Sequence, residues 1–223
     1  MERLMFGAQI EKLLAADLGI ADELPIAGHQ RPLQVPGGEY DVYVAVRDQS
    51  NGDRRQMFKT GLLRHRVTVP DFAKAELQTS SLMVGPLEQA NPSQAAENPY
   101  IIGNMKLAPM EKPSVSKAGE FTMVYFVYGF QRDMATNKPN IAIEYSFYQK
   151  TGDTEKYFNK TAPREINAMT LPPDFDLSAG QLPEEFGVPL ASFPAGDYRL
   201  EVKITDKVAN KTLTQNVAFT VTP

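Results

Sequence analysis

The sequence predicts an all-β protein of two antiparallel sandwich modules, the first incomplete and preceded by a short N-terminal helix. Three observations carry this. The pattern P-x-G-[DE]-Y-x-[VL]-x-V-x-[VI]-x-D occurs twice without a gap, at residues 36–48 and 194–206. Each copy is followed by a polar turn, at 49–53 or 207–211, and then by a second alternating run ending at 67–70 or 219–223, so each repeat reads as a β-hairpin. The length of 223 residues exceeds the roughly 100 residues of one sandwich module.

Side chains alternate along a strand, so Tyr40, Val42, Val44 and Val46 share one face of the first hairpin, as Tyr198, Leu200, Val202 and Ile204 do in the second. Those faces are the expected core. The opposite faces hold Asp41, Tyr43, Ala45 and Arg47, or Arg199, Glu201, Lys203 and Thr205, the half-wet pattern of an antiparallel sandwich sheet. A Gly-acid-Tyr step at the head of such a strand predicts a tyrosine corner at Tyr40 and at Tyr198, each ring buried and its hydroxyl bonded to backbone a few residues upstream.

Both hairpins resemble the last two strands of immunoglobulin-like or fibronectin type III-like domains, over residues 36–70 and 194–223. The resemblance implies two immunoglobulin-like sandwich modules in tandem. More loosely, PAGDYRLEVKITDKVANKTLTQNVAFTV and the run from VPGGEYDVYVAVRD to VTVPDF resemble the C-terminal region of secreted acidobacterial proteins of the von Willebrand factor A-related and GWxTD type. That similarity implies an extracytoplasmic or secreted parent protein whose defining domain lies upstream. The chain has no tryptophan, hence no GWxTD motif, and no D-x-S-x-S motif.

Before the first hairpin there is room for a helix at 2–18 and one strand at 33–35, too little for seven strands. Phe6, Ile10, Leu13, Leu14 and Leu18 fall at helical spacing, with Gly19 as the stop. Such a helix either covers the half-sheet or binds a partner. The module boundary is placed near Ala73, giving modules at 1–73 and 74–223. In the second module a long loop is expected at 85–105, rich in proline, asparagine and small polar residues near its start. Strands at 77–84, 120–130, 140–150, 156–158 and 188–193 plus the final hairpin make about seven.

Composition excludes several functions. Twenty-three basic and 27 acidic residues give a net charge of −4 with no basic block, so nucleic acid is not an expected partner. Without cysteine there are no disulfides, thiolate metal sites or cysteine nucleophiles. Residues 1–19 are broken by Gln9, Glu11 and Lys12 and do not read as a signal peptide. The longest uncharged aromatic run, 121–130, is about half the roughly 20 residues of a helical membrane span.

Chemistry is sparse. His29 and His65 are the only histidines; His29 sits beside Gly28 in a loop, and His65 shares the inward parity of Leu63, Val67 and Val69. No H-E-x-x-H or phosphate loop is present. Asp174, Asp176, Ser178 and Glu185 fall on the ligand rhythm of a calcium loop, but Ala179 occupies the glycine position and Pro172, Pro173 and Pro183 oppose helices around it. A solvated acidic loop fits the same residues. Phe121, Tyr125, Phe126, Tyr128, Phe130, Tyr145, Phe147 and Tyr148 lie in two strands that could be neighbours; they serve either the core or a surface of Tyr125, Tyr128 and Tyr148 that binds a protein or a glycan. The expectation is a non-catalytic structural or protein-interaction module with no cofactor, acting on another domain or chain; the alternative is a carbohydrate-binding or adhesion module.

Overall fold

A computed structural model describes residues 2–4, 33–47, 60–96, 98 and 100–223. The described elements are β1 (Glu2–Leu4), β2 (Leu33–Val35), β3 (Gly38–Arg47), β4 (Thr60–Val69), β5 (Gln78–Thr79), β6 (Met83–Val84), β7 (Leu87–Gln89), a 3₁₀ turn (Pro92–Ala96), β8 (Ile101–Ile102), β9 (Met105–Leu107), β10 (Ser114–Ser116), β11 (Glu120–Tyr128), β12 (Ile141–Thr151), β13 (Thr154–Lys160), β14 (Arg164–Ile166), β15 (Gln181–Pro189), β16 (Gly196–Asp206) and β17 (Lys211–Thr222). The protein is all-β, built from several antiparallel sheets. It divides into two compact units, Met1–Asp71 with Asn91–Gly103, and Phe72–Ala90 with Asn104–Pro223.

In the first unit β3 and β4 form a hairpin in continuous register from Gly38↔Val69 to Arg47↔Thr60. Its core-facing stripe is only partly covered: Leu63 and Val69 are buried, while Tyr40, Val42, Val44, His65 and Val67 are half-buried. β1 pairs antiparallel with β2. Glu2–Leu4 is therefore strand, where the sequence spacing predicts the start of a helix; the rest of that helix, and His29, lie outside the described residues.

The second unit is a two-layer sandwich. One sheet runs β10-β17-β16-β12-β13, with β14 also pairing β12, and the other runs β15-β11-β5, with β6 also on β11. β10 lies parallel to β17, whereas the other pairings in these two sheets are antiparallel. The period-two pattern of β16 drives this arrangement: Tyr198, Leu200, Val202 and Ile204 are all fully buried. They meet the inward residues of β12 and β17 within one sheet and of β11 and β15 across the layer. Aromatic rings fill the interior, with Tyr145 stacked on Phe186 across the layers at 3.8 Å and Phe121 against Phe219 at 4.5 Å. Each such ring removes a large apolar area from water, and their offset and edge-on pairing adds specificity of fit.

Three details differ from the sequence expectation. Residues 85–105 are not one loop, because β7 pairs with β9 in register Leu87↔Leu107 and the 3₁₀ turn intervenes. The strand expected at 188–193 is centred instead on β15, along the whole length of β11. Pro183 disguised it, yet β15 is an edge strand, where a missing N–H costs no ladder bond. β11 stops at Gly129, whose φ of 64° and a Cβ that would stand 1.8 Å from the Glu76 carbonyl both demand glycine.

Candidate functional site

The outer face of the larger sheet carries a surface cluster of aromatic and charged groups. Outward parity places Tyr148 on β12 directly opposite Arg199 on β16. The Arg199 guanidinium lies 4.2 Å from the Tyr148 ring centroid, a cation–π contact. Its Nε donates to Glu155 at 2.9 Å, and Nη1 donates to Glu201 at 3.0 Å and to Asn216. Glu155 comes from β13, whose hairpin with β12 also brings Tyr157 edge-on to Tyr148 at 5.9 Å. The hydrogen bond and charge of Arg199 hold the Glu155 carboxyl below its ordinary range. Tyr157 keeps 51% of its surface in water. A fixed cation between two carboxylates, flanked by a half-open aromatic ring, is equipped for recognition by contact. No nucleophile with a base in reach is part of it.

A second group of polar residues is buried between the layers. Glu184 sits on the inward parity of β15 between Leu182 and Phe186, opposite Tyr125 of β11, and is only 4% exposed. Tyr125 and Tyr145 share a hydroxyl–hydroxyl hydrogen bond of 2.8 Å across the layers. Arg164 of β14 places Nε 2.8 Å from Glu184 Oε2, out of hydrogen-bond alignment, so the contact is an ion pair. Burial pushes the Glu184 carboxyl up to about 7, partly opposed by Arg164. Burial likewise raises both tyrosine hydroxyls far above their ordinary value.

The residues singled out from sequence fare differently. Tyr198 is fully buried and donates its hydroxyl to the Pro194 carbonyl at 2.8 Å; Tyr40 donates to the Pro36 carbonyl at 2.9 Å but its ring is half-buried. Of the aromatic surface, Tyr125 is a correction: its side chain is wholly internal, because it shares the inward parity of Phe121, Met123 and Val127 on β11 and meets Tyr145 of the opposite layer. β11 and β12 are not neighbours either; β11 lies between β15 and β5 in one sheet and β12 between β16 and β13 in the other. Tyr128 stacks on Phe72 at 4.2 Å, and Tyr148 alone of the three belongs to the cluster described above. The acidic set is not brought together. Asp176 accepts from the Ser178 backbone N–H at 2.7 Å, Asp174 is exposed, and Glu185 points outward from β15. No group of three or more His, Asp or Glu able to hold a metal occurs among the described residues.

Sequence reasoning missed Tyr157, Arg199 and Glu184. Arg199 was legible only as an outward position; it and Tyr157 each meet Tyr148, Tyr157 through the register shift between Phe147 and Tyr148 in the β12–β13 pair. Glu184 had a signal in the alternation Leu182, Glu184, Phe186, Val188: a carboxylate on an apolar stripe.

No protein-family model matches the chain, and no curated protein matches it. Among solved structures it is similar to a family 123 glycoside hydrolase from Clostridium perfringens, described for glycolipid glycan hydrolysis, at a TM-score of 0.35 and 9% identity. The likeness covers 66% of this chain and 27% of the hydrolase. At that level neither fold nor activity transfers. No helix among the described residues is long and apolar enough to cross a membrane.

Proposed function

We propose that this chain is a non-catalytic interaction module of a bacterial envelope or secreted protein, and that it engages another protein domain or chain through the outer face of β13, β12 and β16. The observation that carries the reading is the Tyr148–Arg199–Tyr157 cluster. Tyrosine and arginine are the residue types enriched at interface centres, and here their geometry is fixed before any partner arrives. The strand order of the second unit and the parallel β10–β17 pair support an immunoglobulin-like or fibronectin type III-like assignment, as does the recurring tyrosine corner. The extracytoplasmic setting rests on the sequence resemblance.

A photo-crosslinking amino acid placed at Tyr157 in cells of the native host tests this, with Glu185 on the opposite outer face as control. Adducts from position 157 and none from 185 support the reading, and equal labelling sinks it. Turnover of chromogenic glycosides or esters by the purified chain would remove the non-catalytic half. The half-open Tyr157 ring also favours a second reading, a glycan-binding module stacking a sugar on that ring. Calorimetric titration with soluble oligosaccharides decides it: that reading requires heat abolished by Tyr157→Ala.

A further inference from the structure

We propose that Glu184 and Arg164 form a proton-operated clasp joining the two layers of the sandwich, closed as an ion pair when Glu184 is charged and released when Glu184 is neutral. The geometry is asymmetric. Glu184 belongs to β15 in one layer and is almost completely buried, while Arg164 extends from β14, which pairs with β12 in the other layer, and keeps 56% of its side chain in water. Neutralising the carboxyl leaves Arg164 free to turn to solvent at little cost. Ionising it strands a charge between apolar rings, and the arginine is the cation at hand to offset that.

The groups that reach Glu184 are Arg164 from β14, Tyr125 from β11 and Tyr145 from β12. The tyrosines are held neutral by burial and by their mutual hydrogen bond, and the arginine stays charged, so Glu184 is the member of the group that changes charge around neutrality. Its folded-state value lies above its value of 4.5 in the unfolded chain. Folding therefore takes up a proton between those limits. The stability contributed by the neutral carboxyl is fully present below 4.5 and is lost as pH rises through about 7. The closed clasp is thus the weaker state of the sandwich, and mild acid firms this seam.

Hydrogen exchange of the β11 and β15 amides in the full chain, corrected for intrinsic rates and followed from about pH 5 to about pH 9, tests the clasp. Protection is expected to fall on the order of a hundredfold across that range. Glu184→Gln should flatten the profile. Arg164→Gln should leave protection at the acid end unchanged and lower it at the alkaline end, a split that a merely structural contact would not produce. NMR titration of the Glu184 carboxyl carbon in the unsubstituted chain gives an independent readout should Glu184→Gln not fold, with a midpoint near neutrality expected. A midpoint in the ordinary carboxyl range, an unchanged profile in Glu184→Gln, or an equal loss at both ends in Arg164→Gln would each overturn the proposal.

Discussion

The hairpin of β3 and β4 and the hairpin of β16 and β17 begin from the same sequence pattern and form the same corner, yet they bury their inward stripes to different extents. In both, the tyrosine hydroxyl donates to the carbonyl of the proline four residues back. In the second, the stripe beneath the corner is sealed by β12 on one side, by β17 on the other and by the opposing layer. In the first unit the described residues leave Tyr40, Val42 and Val44 half-covered. The motif therefore specifies a local turn and a strand parity. How much free energy the parity yields is decided by what lies opposite, since apolar burial scales with area removed from water.

The largest expected contrast comes from separating the halves. Residues 74–223 expressed alone should keep a single cooperative thermal transition, and residues 1–73 should lose theirs, because they part from Asn91–Gly103 of their own unit and a hairpin with little cover is marginal in water. A cooperative transition from monomeric 1–73 would show that the first hairpin needs no further cover. Next in size is truncation of the two corner rings. Tyr198→Ala should cost about 3–5 kcal/mol in denaturant titrations, as removal of a fully buried aromatic does. Tyr40→Ala should cost roughly 1 kcal/mol, and equal losses would mean that the first ring is as well enclosed as the second. The smallest contrast isolates the shared hydrogen bond. Tyr198→Phe should cost roughly 0.5–1.5 kcal/mol, while Tyr40→Phe, whose bond is open to competing water, should stay below about 0.5 kcal/mol.

Local chemistry made part of this legible in advance. Strict alternation named the buried residues of β16, and the Gly-acid-Tyr step named both corners, because each depends on neighbours within a few positions. What local pattern leaves open is which strands pair across long sequence distance. Tyr125 and Tyr148 look alike on paper, two tyrosines in aromatic strands, but Tyr125 shares the inward parity of Phe121, Met123 and Val127 on β11, whereas Tyr148 has the outward parity of β12, where Arg199 lies opposite. Pro183 and Glu184 concealed β15 by violating two rules at once, a proline and a charge inside a strand. The edge position accommodates the first and the Arg164 ion pair the second.

The parallel pairing of β10 with β17 bears on how the second unit would carry load. Ser114 lies beside Thr220 and Ser116 beside Thr222, so tension arriving through Pro113 and leaving through Pro223 pulls the two strands in opposite directions along their length. Their hydrogen bonds are then strained together in shear instead of parting one at a time. The hydrogen bonds from the Lys117 N–H to the Thr222 carbonyl and from the Thr220 N–H to the Pro113 carbonyl extend that grip at either end of the short seam.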